Sequence, residues 1–142
     1  MPKIWKRYTT LLVSDAGQKL APEAEPESDW PRHAKRILEV VDNQVRSLRK
    51  RQLIDAFVQG LRKGAYWGIR IDIEDYGVAC LPCPAPRTLA LAAVPTRLSD
   101  VDDTTQERLI NWGNAVCDAA LRAHFDTQLP AATKFPYAGA AV

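Results

Sequence analysis

The order strand, long helix, strand constrains the fold of this chain more than any other feature of its sequence. Residues 8–13 are rich in β-branched and aromatic side chains and lead into a turn-prone segment. Within residues 66–72, Trp67, Ile69 and Ile71 alternate as they would along a strand. Two strands joined by a helix form a βαβ unit, which predicts an α/β fold with a mainly parallel sheet.

The connecting helix is predicted over residues 29–59. Ser28 or Asp29 can cap its start, and Gly60 follows its end. Apolar side chains recur through it with the three-and-four spacing of one helix face: Ala34, Ile37, Leu38, Val41, Val45 and Leu48. The sequence therefore predicts a long amphipathic helix.

A C-terminal helix is predicted over residues 104–123, where Thr104 and Glu107 have the spacing of a capping box. Residues 125–142 look like a flexible tail, so we expect one domain over residues 1–124. Two buried strands make too small a sheet for an open α/β fold, because parallel strands normally have both faces and both edges covered. The expected sheet is therefore only the remnant of a larger one.

Length and composition exclude several classes of protein. With 142 residues, 46% hydrophobic and 25% charged, the chain has the make-up of a single soluble domain. It has no stretch of about 20 apolar residues that could cross a bilayer, and its first residues do not resemble a secretion signal. The net charge of +2 does not favour nucleic-acid binding. We expect a cytoplasmic protein.

No serine stands in the G-x-S-x-G sequence that exposes the nucleophile of α/β hydrolases. The four serines, Ser14, Ser28, Ser47 and Ser99, all lack the pair of flanking glycines. No two glycines are adjacent either, so a glycine-rich oxyanion or phosphate loop is absent from the sequence. The sequence thus contains no recognisable serine nucleophile, and we expect no cofactor.

The three cysteines are an odd number without an export signal, which favours free thiols over a disulfide framework. Cys80 and Cys83 have the C-x-x-C spacing of a metal knuckle or a redox pair. A structural zinc ion needs four ligands, and only Cys117, His33 and His124 could complete the set. We therefore interpret Cys80 and Cys83 as loop cysteines, with a metal site as the alternative.

The densest basic cluster lies in the predicted long helix and contains Arg46, Arg49, Lys50 and Arg51. A solvated helix face is the simplest interpretation of such a cluster. An anionic partner such as phospholipid headgroups or nucleic acid is the alternative, and the apolar Leu48 and Leu53 within the cluster suit either interpretation. With phospholipid as the partner, the protein would be peripheral to the inner face of the membrane.

Four stretches together resemble bacterial patatin-like phospholipases: WKRY at 5–8 leading into LLVSDAG at 11–17, DNQVRSLRKRQLI at 42–54, KGAYWGI at 63–69, and QERLINWG at 106–113 continuing to Arg122. The resemblance covers most of the chain but includes no catalytic motif. It implies part of an α/β sandwich and the hydrolysis of lipid acyl esters without a metal or organic cofactor. The family uses a dyad of a serine in G-x-S-x-G, which attacks the ester, and an aspartate in D-G-G or D-G-A, which acts as base.

Asp15 is the candidate dyad aspartate in this chain, but Asp15, Ala16 and Gly17 put alanine where the family motif has glycine. A better alignment places residues 8–17 on a strand that follows the catalytic aspartate of the family. On that alignment both dyad residues would precede Met1. No catalytic residue is then assigned to this chain.

Three hypotheses follow. In the first, the chain is the C-terminal part of a patatin-like acyl hydrolase, either a gene fragment, one half of a split enzyme or a functional remnant, and is inactive alone. It would associate with the missing N-terminal half or with itself. In the second, the chain is a non-catalytic module whose basic helix binds an anionic membrane or, less favoured, nucleic acid. In the third, it is a small enzyme that uses Asp15 with an unrecognised nucleophile.

Overall fold

The computed structural model describes residues 8–17, 20–25, 28–95 and 100–142. Its elements in chain order are strand β1 (Thr10–Asp15), helix α1 (Trp30–Val58), strand β2 (Lys63–Gly68), a 3-10 turn (Ile73–Tyr76), helix α2 (Ala85–Leu91) and helix α3 (Asp103–His124). The strands pair in parallel, so the predicted α/β class and parallel sheet are confirmed. A larger patatin-like sandwich remains a prediction.

The helix predictions agree with the structure to within a residue at each end. Asp29 caps α1, and its Oδ1 accepts a hydrogen bond from Arg32 N at 3.1 Å. The chain leaves α1 through Gly60, whose φ of 67° suits glycine. The cap of α3 is Asp102 rather than Thr104, since Asp102 Oδ1 accepts from Thr105 N at 2.9 Å.

The second strand begins and ends earlier than predicted, at Lys63–Gly68 instead of residues 66–72. Trp67, Ile69 and Ile71 do pack partly buried against the core, which explains their alternation. The pairing with β1 depends instead on residues 63–68, in the register Thr10 to Lys63 through Asp15 to Gly68. The alternation of side chains therefore indicates which residues are partly buried, but it does not give the position of the strand.

Gly64 permits the close approach of the two strands. Its φ is 147°, and a Cβ at this position would lie 1.8 Å from the carbonyl oxygen of Leu11. No side chain fits there without moving the backbone of β1. The described part of the sheet contains only these two strands, so each of them has one edge without a partner strand.

The contacts divide the chain into two compact units, the first formed by residues up to 17 together with 63–142. Its core lies along α3, where Trp112, Val116, Ala119 and Ala120 are at least 98% buried. They pack with residues of β2, the 3-10 turn and α2. The Trp112 indole also donates to Ile69 O at 3.0 Å, which fixes the chain as it leaves β2.

The second unit, residues 18–62, consists mainly of α1. The residues before the helix are held by Arg36, which donates to Ala21 O and pairs with Glu23 at 3.0 Å. All 29 residues of α1 are described and none is buried. We call the predicted apolar face the α1 stripe (Ala34, Ile37, Leu38, Val41, Val45 and Leu48), and all six of its residues are exposed.

Residues 125–142 are the segment for which the sequence predicts a flexible tail, beyond a domain boundary at residue 124. Residues 125–142 contain no helix or strand, but they belong to the same unit as α3. Ala140 and Val142 are each 2% exposed, and Phe135 packs against the core. The segment is irregular in conformation and packs against α3.

Among the described residues, no helix is long and apolar enough to span a membrane.

Candidate functional site

Asp15, the one candidate catalytic residue of the sequence, lies at the last position of β1. Its Oδ1 accepts a hydrogen bond from Gly17 N at 2.8 Å, and its Oδ2 accepts one from the Tyr66 hydroxyl at 2.5 Å. Tyr66 belongs to β2 and reaches Asp15 past Gly68, whose missing Cβ would lie 3.9 Å from that hydroxyl. Asp15 therefore joins the turn after β1 to the neighbouring strand.

This arrangement gives Asp15 a structural task, and the described residues of its own unit bring no serine nucleophile to it. Ser14 is its neighbour in sequence, but adjacent strand residues point to opposite faces of a sheet. Ser28 and Ser47 belong to the other unit, and Ser99 lies outside the described residues. The use of Asp15 as a catalytic base stays a prediction, with both of its carboxylate oxygens already accepting hydrogen bonds.

The basic cluster is spread around α1. Arg46 is half-buried and its Nε lies 3.0 Å from Asp42 Oδ2, whereas Arg49, Lys50 and Arg51 are exposed. At about 100° per residue, Arg49 and Arg51 flank the α1 stripe on its two sides, while Arg46 and Lys50 project away from it. The two flanking arginines and the stripe together form an exposed amphipathic surface.

The cysteines do not form a metal centre in the described part of the chain, where no group of three or more metal-ligating side chains comes together. All three are free thiols, as predicted. Cys80 is exposed and Cys83 is buried; burial, together with the nearby Cys80, raises the pKa of Cys83 to about 11. Near neutral pH the Cys83 thiol is thus protonated, and a protonated thiol is a poor nucleophile.

A polar stripe along α3 was missed in the sequence, and it holds the irregular segments in place. Asn111 is fully buried; its amide nitrogen donates to Tyr137 O at 2.8 Å and Ala140 O at 2.6 Å, and its Oδ1 accepts from Tyr137 N at 2.9 Å. One side chain therefore satisfies three backbone groups of the C-terminal segment.

Asp118 and Arg122 continue this stripe about two and three turns further on. Arg122 pairs with Asp118 at 2.7 Å and donates to Ala79 O at 2.5 Å, while Asp118 Oδ1 accepts from Ala132 N at 3.2 Å. The only sequence signal was the helical spacing of three polar residues, at 111, 118 and 122, next to an apolar face. Such spacing is more often typical of a solvated helix face.

Compared with known proteins, the chain matches no family model, no curated protein and no solved structure.

Proposed function

We propose that this chain is the C-terminal framework of a patatin-like lipid acyl hydrolase and has no hydrolytic activity alone. The observation that carries the proposal is the β1–α1–β2 segment: a parallel pair of strands that has no further partner strand among the described residues, joined by a helix whose apolar face is exposed. Parallel strands are stable when both faces of their sheet are covered. A pair of strands of this kind therefore fits as part of a larger sheet that further strands complete.

The stretches that resemble the family also occupy the elements that build this framework. Residues 11–17 form most of β1 and the turn after it, 42–54 lie in α1, 63–69 include β2, and 106–113 lie in α3. A resemblance confined to framework elements fits a chain that supports an active site without supplying its nucleophile. The serine and the catalytic aspartate would then come from a separate segment.

Reconstitution tests this proposal. The chain would be co-expressed with a separately tagged N-terminal portion of a bacterial patatin-like phospholipase that carries both G-x-S-x-G and D-G-G. We expect the two to co-purify and to hydrolyse a p-nitrophenyl ester only together, with activity lost when the serine of the added portion is replaced by alanine. A chain that stays monomeric and binds none of several such portions would contradict the proposal.

A second candidate function is a non-catalytic module that binds an anionic membrane surface. The observation in its favour is that Arg49 and Arg51 flank the exposed α1 stripe, since basic residues beside an apolar face are typical of interfacial helices. Such a helix would insert Val45 and Leu48 between lipids while the two arginines contact headgroups.

Vesicle co-sedimentation separates this function from the first. Phosphatidylserine vesicles should bind the chain at about 50 mM salt and release it at about 500 mM, because salt screens the attraction. Arg49→Gln together with Arg51→Gln should abolish binding, while Lys35→Gln, at an exposed lysine outside the cluster, should not. Equal binding of the double variant and the wild type would exclude a headgroup role for these arginines.

A further inference from the structure

The hydrogen bonds between the two strands show which backbone groups lie on the outer edge of β1. Lys63 N donates to Thr9 O at 3.0 Å and Ile69 N donates to Asp15 O at 2.9 Å, which fixes the alternation of the parallel ladder between them. Every second residue of β1 therefore directs its backbone groups toward β2. The residues between them direct theirs to the edge that has no partner strand among the described residues: Thr10, Leu12 and Ser14.

The outer edge of β1 is more accessible than that of β2. All three outer-edge residues of β1 are exposed, and the apolar Leu12 is 52% exposed. By the same alternation, the outer-edge residues of β2 are Gly64, Tyr66 and Gly68, of which the first is buried and the other two are half-buried. A strand added to this sheet would therefore pair with β1.

β1 lacks the features by which edge strands usually avoid pairing with other chains. Lysine and proline are common on natural edge strands for this reason. Residues 10–15 contain neither of them, and their one charged residue, Asp15, accepts hydrogen bonds from Gly17 and Tyr66. The outer edge of β1 is therefore a row of backbone donors and acceptors with no positive charge or proline to keep a second strand away.

The outer edge of β1 is also complementary to itself. In an antiparallel pair with a two-fold axis at Leu12, Leu12 lies opposite Leu12 of the second copy, and Thr10 lies opposite Ser14 of the second copy. The backbone groups of these residues point outward, so each pair exchanges two hydrogen bonds. Leucine opposite leucine and threonine opposite serine are favourable cross-strand neighbours, and no like charges meet.

We propose that the outer edge of β1 binds β1 of a second copy of this chain, antiparallel and with the two-fold axis at Leu12. The four strands then form one sheet in the order β2, β1, β1, β2. Six residues from each copy are fewer than the about 20–30 per side of a standard interface, so we expect the pairing at high protein concentration. It uses no residue of the α1 stripe and does not rest on the acyl-hydrolase proposal.

Amide hydrogen exchange of the full chain, followed residue by residue with NMR, tests this pairing between about 0.05 and 1 mM protein. We expect the amides of Thr10, Leu12 and Ser14 to exchange at least about twofold more slowly at the highest concentration, because the second copy accepts their hydrogen bonds. The amides of Leu11 and Val13, which bond to β2, are the internal control and should not change.

Two results of this experiment would overturn the proposal. Fast exchange of the three outer-edge amides at every concentration would show that no strand pairs with them. Slow exchange that is the same at every concentration would show that another part of the same chain covers this edge. Both results come from the wild-type chain, so they do not depend on whether a variant folds.

Charges placed at positions 10 and 14 test the register. Thr10→Lys with Ser14→Lys puts like charges opposite each other and should abolish the concentration dependence, whereas Thr10→Lys with Ser14→Glu puts opposite charges there and should preserve it. Both side chains are exposed, so the sheet should tolerate these changes. Equal behaviour of the two double variants would overturn the proposed pairing. The acyl-hydrolase proposal would still stand, because reconstitution with a separate catalytic portion tests it.

Discussion

The Tyr66 hydroxyl donates a hydrogen bond to Asp15 Oδ2 at 2.5 Å and thereby joins the C-terminal end of β1 to β2. A hydrogen bond to a charged group contributes about 1.5–3 kcal/mol. We expect Tyr66→Phe to lower the free energy of unfolding by about that amount, measured by urea denaturation.

Tyr76 provides the matched control for this change. It is 8% exposed, its hydroxyl has no hydrogen-bond partner among the described residues, and burial, followed by the nearby Cys117 and Asp75, raises its pKa to about 12. Tyr76→Phe removes an unpaired buried hydroxyl and should leave stability unchanged or raise it by up to about 1 kcal/mol. If both variants behave alike, the Tyr66–Asp15 bond does not stabilise the sheet.

Gly64 and Gly113 make a second matched pair, because only one of them has neighbours where a side chain would go. A Cβ at Gly64 meets the Leu11 carbonyl at 1.8 Å, whereas one at Gly113, within α3, meets nothing within 4 Å. Gly64→Ala should destabilise the protein by several kcal/mol or prevent folding. Gly113→Ala should stabilise it by about 0.5–1 kcal/mol, because alanine is the better helix former. Thermal unfolding followed by circular dichroism measures both.

Asn111 should control whether the C-terminal segment stays on α3. Asn111→Ala leaves three backbone groups of Tyr137 and Ala140 without their partner, which should cost about 2–4 kcal/mol and expose residues 130–142. Hydrogen exchange read by mass spectrometry should show faster exchange in that segment than in β2. Asn114→Ala, at an exposed position of the same helix, is the control. Unchanged exchange in Asn111→Ala would contradict the anchoring role.

The α1 stripe should make the isolated chain self-associate. Leu38 is 68% exposed, and Val41 and Leu48 are each more than 50% exposed, so a second copy or another partner gains free energy by covering them. In sedimentation velocity we expect species larger than the 15.8 kDa monomer.

Substitutions on α1 test whether the stripe is responsible. Val41→Lys and Leu48→Lys should shift the chain toward monomer, while Ser47→Lys, which adds the same charge on another side of the helix, should not. None of these side chains is buried, so the helix should tolerate all three changes. A wild-type chain that sediments as a single monomer and melts cooperatively would count against the proposal that the chain is a framework whose apolar α1 stripe needs a partner to cover it.

The sequence predicted those elements whose boundaries are marked by local chemistry. Asp29 and Gly60 delimit α1 because capping and left-handed backbone are properties of a few consecutive residues. The position of β2 was missed because it depends on how closely Gly64 approaches Leu11, a contact between residues far apart in sequence. Periodicity identified an apolar face on α1 and could not tell what covers it.

The candidate site was harder to predict for the same reason. Asp15 was identified from its resemblance to a motif, but its partner Tyr66 lies 51 residues away and became visible only through the strand register. The anchoring role of Asn111 depends on the backbone of residues 137–140, which carry no recognisable signal. Sequence patterns do not encode such pairings when a polar side chain is buried by irregular structure.

Ester hydrolysis by the purified chain tests the central claim most directly. The substrate is a short-chain p-nitrophenyl ester, with a serine-reactive phosphonate probe and Asp15→Ala as companions. We predict no turnover above the uncatalysed rate and no labelled serine, for the wild type and the variant alike. Turnover that labels a serine and disappears in Asp15→Ala would contradict the account and make this chain a complete enzyme.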